Sequence, residues 1–254
     1  MTIDVEWAPP ELLADVVSLI RQAGIPATFF CTHAGVDAGG HERGLHPNFR
    51  QTGDTMKRIR AEAGELFPSL PQADVYERVM EVTHSFCPEA AGVRTHSLFY
   101  DSELLPIYNR RGLQYDASYF IPLVSSAPFW KAYNIVEFPL FYMDHHDLIT
   151  QATSFSIGRL GLDQPGLRVL DFHPHMLYLN AAMEDDYQQA KPHYLDEAAL
   201  LARRRPGRGV RTLFLDLLDT LSRGAVRCID LATANAEFRA WHRASVAPMI
   251  GRTA

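Results

Sequence analysis

The stretch Thr2-Ile3-Asp4-Val5-Glu6-Trp7 opens the chain as a short, largely apolar run that carries two carboxylates. A helical pattern follows it, and a second apolar run, Ala27-Thr28-Phe29-Phe30, comes next. Because side chains alternate along a strand, Asp4 and Glu6 would point the same way if the strand continued through both. Acidic pairs at the carboxyl end of a strand are costly as structure, and α/β barrels place metal ligands and general bases there.

The strand–helix–strand pattern at the start of the chain predicts the fold class. Pro9-Pro10 suits a helix start, apolar residues recur at helical spacing, and Gly24 suits a helix end. Such a unit implies parallel strands with right-handed crossovers, and its continuation predicts an α/β fold, a single distorted (β/α)7-type barrel domain over residues 1–254. Further strands are predicted at Arg43–His46, Val93–Arg94, Gln114–Asp116, Ile135–Phe141, Arg168–His173 and Val226–Asp230. Further helices are predicted at Thr55–Leu66, Ala73–Thr83, Ser102–Arg111, Asp196–Arg204, Val210–Arg223 and from about Thr233.

Composition and charge exclude several classes of protein. The formal net charge of −6 argues against a nucleic-acid partner, because phosphates favour basic surfaces. The basic run at residues 203–208 is interpreted as a solvated loop. No apolar run approaches the roughly 18 residues of a membrane span, and the N-terminus lacks a signal pattern, so a cytoplasmic location is expected. The three scattered cysteines support neither a disulfide framework nor a cysteine zinc site.

Polar clusters follow four of the predicted strands. They are Asp4/Glu6, His41–Phe49, Arg94–Ser97 and Asp171–His175. A lone histidine at a strand end is more often a hydrogen-bonded structural residue than a ligand. Four such clusters at strand ends favour a catalytic rim.

Two other features have simpler interpretations. The run Asp144-His145-His146-Asp147 has the composition of a metal cluster, but adjacent residues rarely converge on one ion. A polar rim is favoured, with Asp144 as the member expected to line the site. The aromatic residues between Tyr119 and Tyr133 could stack on sugar rings, and core packing explains them equally well.

The order and content of these motifs resemble the polysaccharide deacetylase (NodB-homology, carbohydrate esterase type) superfamily, over roughly residues 2–180. A divergent branch linked to surface-polysaccharide biosynthesis is the nearest likeness. The matching segments are Asp4-Val5-Glu6-Trp7, Gly40-His41-Glu42-Arg43-Gly44, Arg94-Thr95-His96-Ser97, Tyr115-Asp116-Ala117-Ser118 and Phe172-His173-Pro174. The resemblance implies a distorted (β/α)7 barrel that removes acyl groups, usually N-acetyl, from amino sugars with a divalent metal.

The resemblance also implies roles for single residues. Asp4 would be the general base, Arg94 would orient it, and His173 would be the general acid. Glu6 and His46 would bind the metal. Residues expected to contact the substrate are Asn48, Ser97, Asp116, Asp144 and His175.

One position departs from the family pattern. The second metal-binding histidine normally lies four residues after the first, where this chain has Arg50, which stays protonated and cannot bind a metal. Candidates for the missing ligand are His96, Asn48, Asp4 and His175. His96 is favoured, because an imidazole then replaces an imidazole.

The expected activity is metal-dependent hydrolysis of a linear carbon–nitrogen bond, in an amino sugar or in a nucleotide- or lipid-linked sugar precursor. Zinc is the favoured metal, and manganese, iron, cobalt or nickel suit the same ligands. A mature cell-wall polymer is a less favoured substrate, given the missing signal segment. Two alternatives stay open: a catalytically silent carbohydrate-binding barrel, favoured by Arg50, and a hydrolase of a non-sugar amide. The sequence leaves open the acyl group, the oligomeric state and whether the first strand is complete.

Overall fold

The computed structural model describes residues 1–151 and 154–250, and its architecture is mixed α/β. The strands are β1 (Thr2–Asp4), β2 (Thr28–Cys31), β3 (Glu42–Leu45), β4 (Gly92–Val93), β5 (Tyr115–Asp116), β6 (Phe129–Trp130), β7 (Val136–Glu137), β8 (Leu140–Met143) and β9 (Val169–Phe172). The α-helices are α1 (Pro10–Ala23), α2 (Asp54–Ala63), α3 (Gln72–His84), α4 (Leu104–Arg110), α5 (Asp144–Ile149), α6 (Pro174–Leu179), α7 (Glu184–Ala190), α8 (Glu197–Ala202), α9 (Val210–Ser222) and α10 (Leu231–Ile250). Short 3₁₀ turns lie at Gly64–Ser69, His96–Leu98, Ala132–Asn134, Ile157–Leu160 and Lys191–His193.

The strands of the described residues form one curled sheet in the order β6-β7-β5-β4-β3-β2-β1-β9-β8. Every neighbouring pair is parallel except β6 and β7. The chain that follows β5 also reaches the β8 edge, where the N–H of Leu140 donates to the carbonyl of Tyr119 and the N–H of Ile121 donates to the carbonyl of Leu140. The sheet therefore curls back on itself, and it has nine short strands where a distorted barrel of seven units was expected.

The first strand lies in the middle of this sheet, between β2 and β9, and all of its residues are buried. Its register pairs Asp4 with Phe30 and Ile3 with Phe172. Outside the sheet, α1 packs against α6 and α9. Since the strands on both sides of β1 run parallel to it, the carboxyl ends of β1, β3, β4 and β9 meet at one edge of the sheet.

Two glycines make room for bulky side chains inside the curled sheet. A Cβ atom on Gly92 would lie 1.9 Å from the ring of Tyr115, and one on Gly44 would lie 2.7 Å from the ring of Phe30. Both aromatic residues are fully buried. Neither glycine can therefore be replaced without displacing an interior ring.

Two predicted strands differ from the structure. The strand predicted at Val226–Asp230 was wrong: these residues form no strand, and α10 begins directly after them, where the N–H groups of Leu231 and Ala232 donate to the side chains of Thr28 and Glu42. The strand predicted at Ile135–Phe141 is broken into β7 and β8. The break falls at Phe138-Pro139, since proline has no N–H to offer to a neighbouring strand.

The basic run at residues 203–208 packs against its surroundings. Arg205 pairs with Asp186 at 3.0 Å, Arg208 pairs with Asp216 at 2.7 Å, and the guanidinium of Arg204 lies over the ring of Tyr178. As for membrane spans, none of the helices described is both long enough and apolar enough to cross a bilayer.

Candidate active site

The chain leaves β1 through a turn at Glu6 and Trp7. The N–H of Val5 still donates to the carbonyl of Phe30, but Glu6 and Trp7 have φ angles of 50° and 54°, in the left-handed region. The strand ends at Asp4, so the condition under which Asp4 and Glu6 would point the same way by alternation is not met. The two carboxylates nevertheless line the same cleft, because the turn brings the Glu6 side chain to the histidines that follow β3 and β4.

Glu6, His46 and His96 form a compact group, which we call the Glu6 cluster. Oε1 of Glu6 lies 3.0 Å from Nε2 of His46 and 2.7 Å from Nδ1 of His96. The two imidazole rings meet edge to face, with 5.6 Å between their centroids. One carboxylate oxygen thus lies at the meeting point of two imidazole nitrogens.

Backbone contacts of the sheet hold both histidines in place. The N–H of His46 continues the β2–β3 ladder by donating to the carbonyl of Cys31, and the N–H of His96 donates to the carbonyl of Pro47. The ring of Trp7 meets the His96 ring edge to face at 5.3 Å. The positions of these side chains therefore follow from where β3 and β4 end.

Protonation in the Glu6 cluster follows from these contacts. Burial alone would raise the pKa of Glu6, but hydrogen bonds from His46 and His96 lower it well below its ordinary value. Burial alone would lower the pKa of His46, but the charges of Asp4 and Glu6 raise it. The cluster therefore favours a charged carboxylate.

Arg94 is fully buried below the cleft and connects two aspartates. Its Nη1 donates to Asp4 at 3.0 Å, to Asp171 at 2.6 Å and to Oγ1 of Thr2 at 2.8 Å, while Nε donates to the carbonyl of Ala117. Burial and the neighbouring charge of Asp4 raise the pKa of Asp171 to about 8, although Arg94 opposes the shift. The raised pKa favours the protonated form of Asp171, because the single charge of Arg94 is shared between two buried carboxylates.

His173, which follows β9, is held by Asp144. Its Nδ1 lies 2.6 Å from Oδ1 of Asp144, and its backbone N–H donates to Oδ2 of the same residue at 2.8 Å. Burial alone would lower the pKa of His173, but the charge and hydrogen bond of Asp144 raise it well above its ordinary value. Nδ1 is engaged with Asp144, so Nε2 is the ring nitrogen left for the cleft.

These groups surround a cleft of about 670 Å³ at the carboxyl edge of the sheet. The lining residues predicted as site residues are Asp4, Glu6, His96, Ser97, His173 and His175. Arg50, which stands where a second metal histidine was expected, also lines the cleft. His46, Arg94 and Asp144 are buried directly behind this wall, where they contact Glu6, Asp4 and His173.

Three residues predicted to bind substrate are not among those lining the cleft: Asn48, Asp116 and Asp144, of which Asp144 is buried against His173. Oδ1 of Asn48 accepts the backbone N–H of Arg50 at 2.9 Å, so Asn48 shapes a turn. Asp116 is buried in a separate ionic group with Lys131 and Glu137, in which Lys131 Nζ lies 2.7 Å and 2.8 Å from the two carboxylates. The side chains of Asn48 and Asp116 are therefore engaged in contacts within the fold.

His175 is buried beside the cleft and stacks on Tyr194, with 3.5 Å between ring centroids. Its Nε2 donates to the carbonyl of Tyr194 at 3.0 Å, which leaves Nδ1, among the described residues, without a hydrogen-bond partner. Burial lowers the pKa of His175 to about 4, so the ring is neutral at neutral pH. Tyr194 in turn donates its hydroxyl to the carbonyl of Glu6 at 2.5 Å.

Sequence reasoning missed the wall of the cleft formed after β9. The cleft is lined on this side by Tyr187, Lys191 and Tyr194. On the α5 side it is lined by Met143 and Ile149. No motif or spacing marks these residues in the sequence. They reach the cleft because α7 packs against α5 and α6, which begin after β8 and β9, and this is a tertiary feature.

The Glu6 cluster fits a divalent metal by the chemistry of its donors. One ligand atom from each of its residues lies within 4.8 Å of the others, and a carboxylate with two imidazoles is a donor set that transition metals take. Nδ1 of the buried His46 also has no hydrogen-bond partner among the described residues. Asp4, Asp171 and His173 meet the same distance criterion, but their contacts with Arg94 and Asp144 already engage them.

A family model described as "WbmS-like: Polysaccharide deacetylase" matches residues 1–191. No curated protein matches the chain. Among solved structures, the chain is similar to a candidate polysaccharide deacetylase involved in O-antigen biosynthesis from Bordetella bronchiseptica, at 24% identity and a TM-score of 0.70, covering 86% of this chain and 88% of that one. It is also similar to a candidate polysaccharide deacetylase from Mycobacterium smegmatis, at 16% identity and a TM-score of 0.55, covering 91% of this chain and 78% of that one.

Proposed function

Because the chain belongs to the WbmS-like polysaccharide deacetylase family, we propose that it is a metal-dependent hydrolase that removes an acyl group, N-acetyl in the first instance, from an amino sugar or an activated sugar precursor used in polysaccharide biosynthesis. One observation carries the proposal. The Glu6 cluster, the Asp4–Arg94 pair and the Asp144–His173 pair all meet at one cleft. A metal site, a base and an acid are what amide hydrolysis requires.

Glu6, His46 and His96 would hold the divalent metal, with zinc as the first choice. When bound there, the metal supplies Lewis-acid chemistry, which polarises an acyl carbonyl and lowers the pKa of water. His96 takes the place of the histidine that Arg50 replaces in the chain order. This contact of His96 with Glu6 is why we favour an active enzyme over a silent carbohydrate-binding barrel.

Asp4 would act as the general base. The contacts that fix its carboxylate among the described residues both use Oδ1, with Arg94 at 3.0 Å and His46 at 3.9 Å. Oδ2 is then the oxygen that accepts a proton from the attacking water. Arg94 itself is fully buried, so it orients Asp4 without reaching the substrate.

His173 would act as the general acid. Its raised pKa keeps the imidazole protonated at neutral pH, and Asp144 orients Nε2 towards the cleft. A proton from Nε2 would go to the nitrogen of the departing amine. Ser97 and His175 line the same cleft and would contact the sugar.

We also propose that the whole chain forms one domain and that β7 and β8 serve as one bent strand of a distorted seven-stranded barrel. Two contacts support this. Helix α9 lies beyond the matched residues and packs on α1 and α6, which supports one domain. Strand β5 pairs with β7, and Phe120, which follows β5, pairs with Leu140 of β8, which supports one bent strand.

The test is metal analysis of the purified protein beside Glu6→Ala and His46→Ala, with His33→Ala as a control outside the cluster. We expect about one equivalent of a transition metal in the wild type and the control, and a loss in both cluster variants. Acetate release from N-acetylated amino sugars should follow the metal content. A wild type that stays metal-free after incubation with zinc, manganese and cobalt would refute the hydrolase proposal.

A further inference from the structure

Two cations line the cleft and have no part in the hydrolytic scheme above. Arg50 comes after β3 and Lys191 comes directly after α7, and both side chains are exposed to solvent within the cleft. An arginine cannot bind a metal, so the replacement of a family histidine by Arg50 needs another explanation.

Neither cation is neutralised by the protein. In the described part of the chain, the guanidinium of Arg50 forms no hydrogen bond or ion pair, and the contact that Lys191 Nζ makes is with the ring of Tyr187, 4.9 Å away. Many exposed arginines outside the cleft do have a carboxylate partner. Examples are Arg58, Arg78, Arg110, Arg223 and Arg227.

The backbone around Arg50 is fixed although its side chain is free. Asn48, which is buried, accepts the N–H of Arg50 through its side chain, and the N–H of Gly53 donates to the carbonyl of Arg50 at 2.9 Å. Asn48 is therefore a positioning residue for Arg50. Because the turn is already fixed, binding a ligand through the guanidinium requires ordering of the side chain but not of the backbone.

The sheet order places the two cations on either side of the Glu6–Trp7 turn. β3 and β9 lie on opposite sides of β1, so Arg50 approaches the cleft from the β3 side and Lys191 from the β9 side. A ligand seated over the turn therefore meets positive charge from both directions.

We infer that the cleft selects an acylamino sugar that carries an anionic group, with Arg50 and Lys191 as its contacts. The inference rests on the proposed function and adds the class of its substrate. Guanidinium and ammonium groups form charge-assisted hydrogen bonds with phosphate and carboxylate oxygens. The anion can belong to the phosphate of an activated sugar or to the carboxylate of a uronic acid, which share this chemistry.

The test is calorimetric binding of three probes: N-acetylglucosamine, its 1-phosphate, and 2-acetamido-2-deoxyglucuronic acid. The proteins are the wild type, Arg50→Gln and Lys191→Gln, with Lys57→Gln and Arg58→Gln on α2 as exposed controls outside the cleft. We expect at least one anionic probe to bind the wild type about tenfold more tightly than the neutral sugar. Each cleft variant should lose roughly five- to tenfold of that advantage, and added salt should weaken anion binding in the wild type.

The relative affinities of the three probes distinguish the possible substrates. Tighter binding of the phosphate identifies an activated sugar, and tighter binding of the uronate identifies a uronic acid; either supports the inference. Equal binding of all three probes, an anion preference that survives in both cleft variants, or no binding of either anion overturns it. Acetate release is measured separately on all three probes, so a failure of the proposed function is distinguishable from a failure of this inference.

Discussion

The carboxylate of Asp144 holds His173 through two atoms at once. Oδ1 of Asp144 lies 2.6 Å from Nδ1 of the ring, and Oδ2 accepts the backbone N–H of the same histidine at 2.8 Å. Asp144 begins α5 directly after β8, and His173 follows β9, which is the neighbour of β8 in the sheet. The contact therefore fixes both the direction of the ring and the nitrogen that carries the cleft-facing proton.

Asp144→Asn should move the pH profile of turnover. Burial would lower the pKa of His173, and the charge of Asp144 is what raises it. A general acid works only when protonated, so activity is lost as pH rises through this pKa. Without the charge the pKa falls, so the loss should begin at a lower pH, and kcat at neutral pH should fall by about 100-fold. Steady-state rates across pH check this, with exposed Asp185→Asn as the control; an unshifted profile would speak against His173 as the acid.

His96→Ala should weaken metal binding. The residue supplies one of the two imidazoles of the Glu6 cluster, at 2.7 Å from Glu6. Loss even of a supporting contact typically costs 10- to 100-fold in metal affinity, so loss of a ligand should cost more than about 100-fold. Competition with a chromogenic chelator measures the affinity, and His33→Ala serves as the matched control. If His96→Ala binds metal like the wild type, another residue is the third ligand.

Gly92→Ala should destabilise the fold. The new Cβ would lie 1.9 Å from the ring of Tyr115, which is fully buried and cannot move aside freely. Overpacking of this kind costs about 1–3 kcal/mol or more in the free energy of unfolding. In a chain of this size each kcal/mol lowers Tm by roughly 2–4 °C. Thermal melts should show the drop in Gly92→Ala and little change in Gly158→Ala, where the new Cβ makes only an ordinary contact at 3.7 Å.

His175 should make stability depend on pH in the acid range. Burial lowers its pKa from 6.5 to about 4 in the folded protein, so between these values the unfolded chain binds more protons. The free energy of unfolding contributed by neutral His175 is therefore present above pH 6.5 and is lost as pH falls to about 4, by roughly 3 kcal/mol.

Urea unfolding at pH 7 and pH 4.5 measures this loss. The wild type should lose more stability between the two pH values than His175→Gln, which cannot titrate but can still donate to the Tyr194 carbonyl. His84→Gln, at the end of α3, should behave like the wild type. Equal losses in the wild type and His175→Gln would contradict the assignment.

The sequence predicts the location of the cleft well where chemistry comes directly after a strand. Asp4 is the last residue of β1, and His46 and His173 come directly after β3 and β9, so the strand pattern alone places them at one edge of the sheet. The turn at Glu6 could not be predicted from the pattern, because a left-handed φ at two consecutive non-glycine residues is rare. Asp4 and Glu6 do line one cleft, but the turn at Glu6 brings them there and not the alternation of side chains along a strand.

The sequence pattern could not predict the roles of residues that depend on tertiary neighbours. Asp116 is the last residue of β5 as Asp4 is the last residue of β1, but Lys131, which comes directly after β6, pairs with Asp116. Asp144 was expected at the rim, and it is buried against His173 because β8 and β9 are adjacent. The sequence pattern predicted a strand at residues 226–230, but these residues pair with no strand of the described sheet.

The hydroxyl of Tyr194 reaches back to the carbonyl of Glu6 from beyond the residues that the family model matches, which end at 191. A part of the chain outside the matched residues therefore touches the backbone of a metal-ligand candidate. Mutations in this tail can alter what the cleft accepts while every motif residue stays unchanged. Two members of the family with identical motifs can thus evolve towards different sugars, and a classification based on motifs alone would merge them.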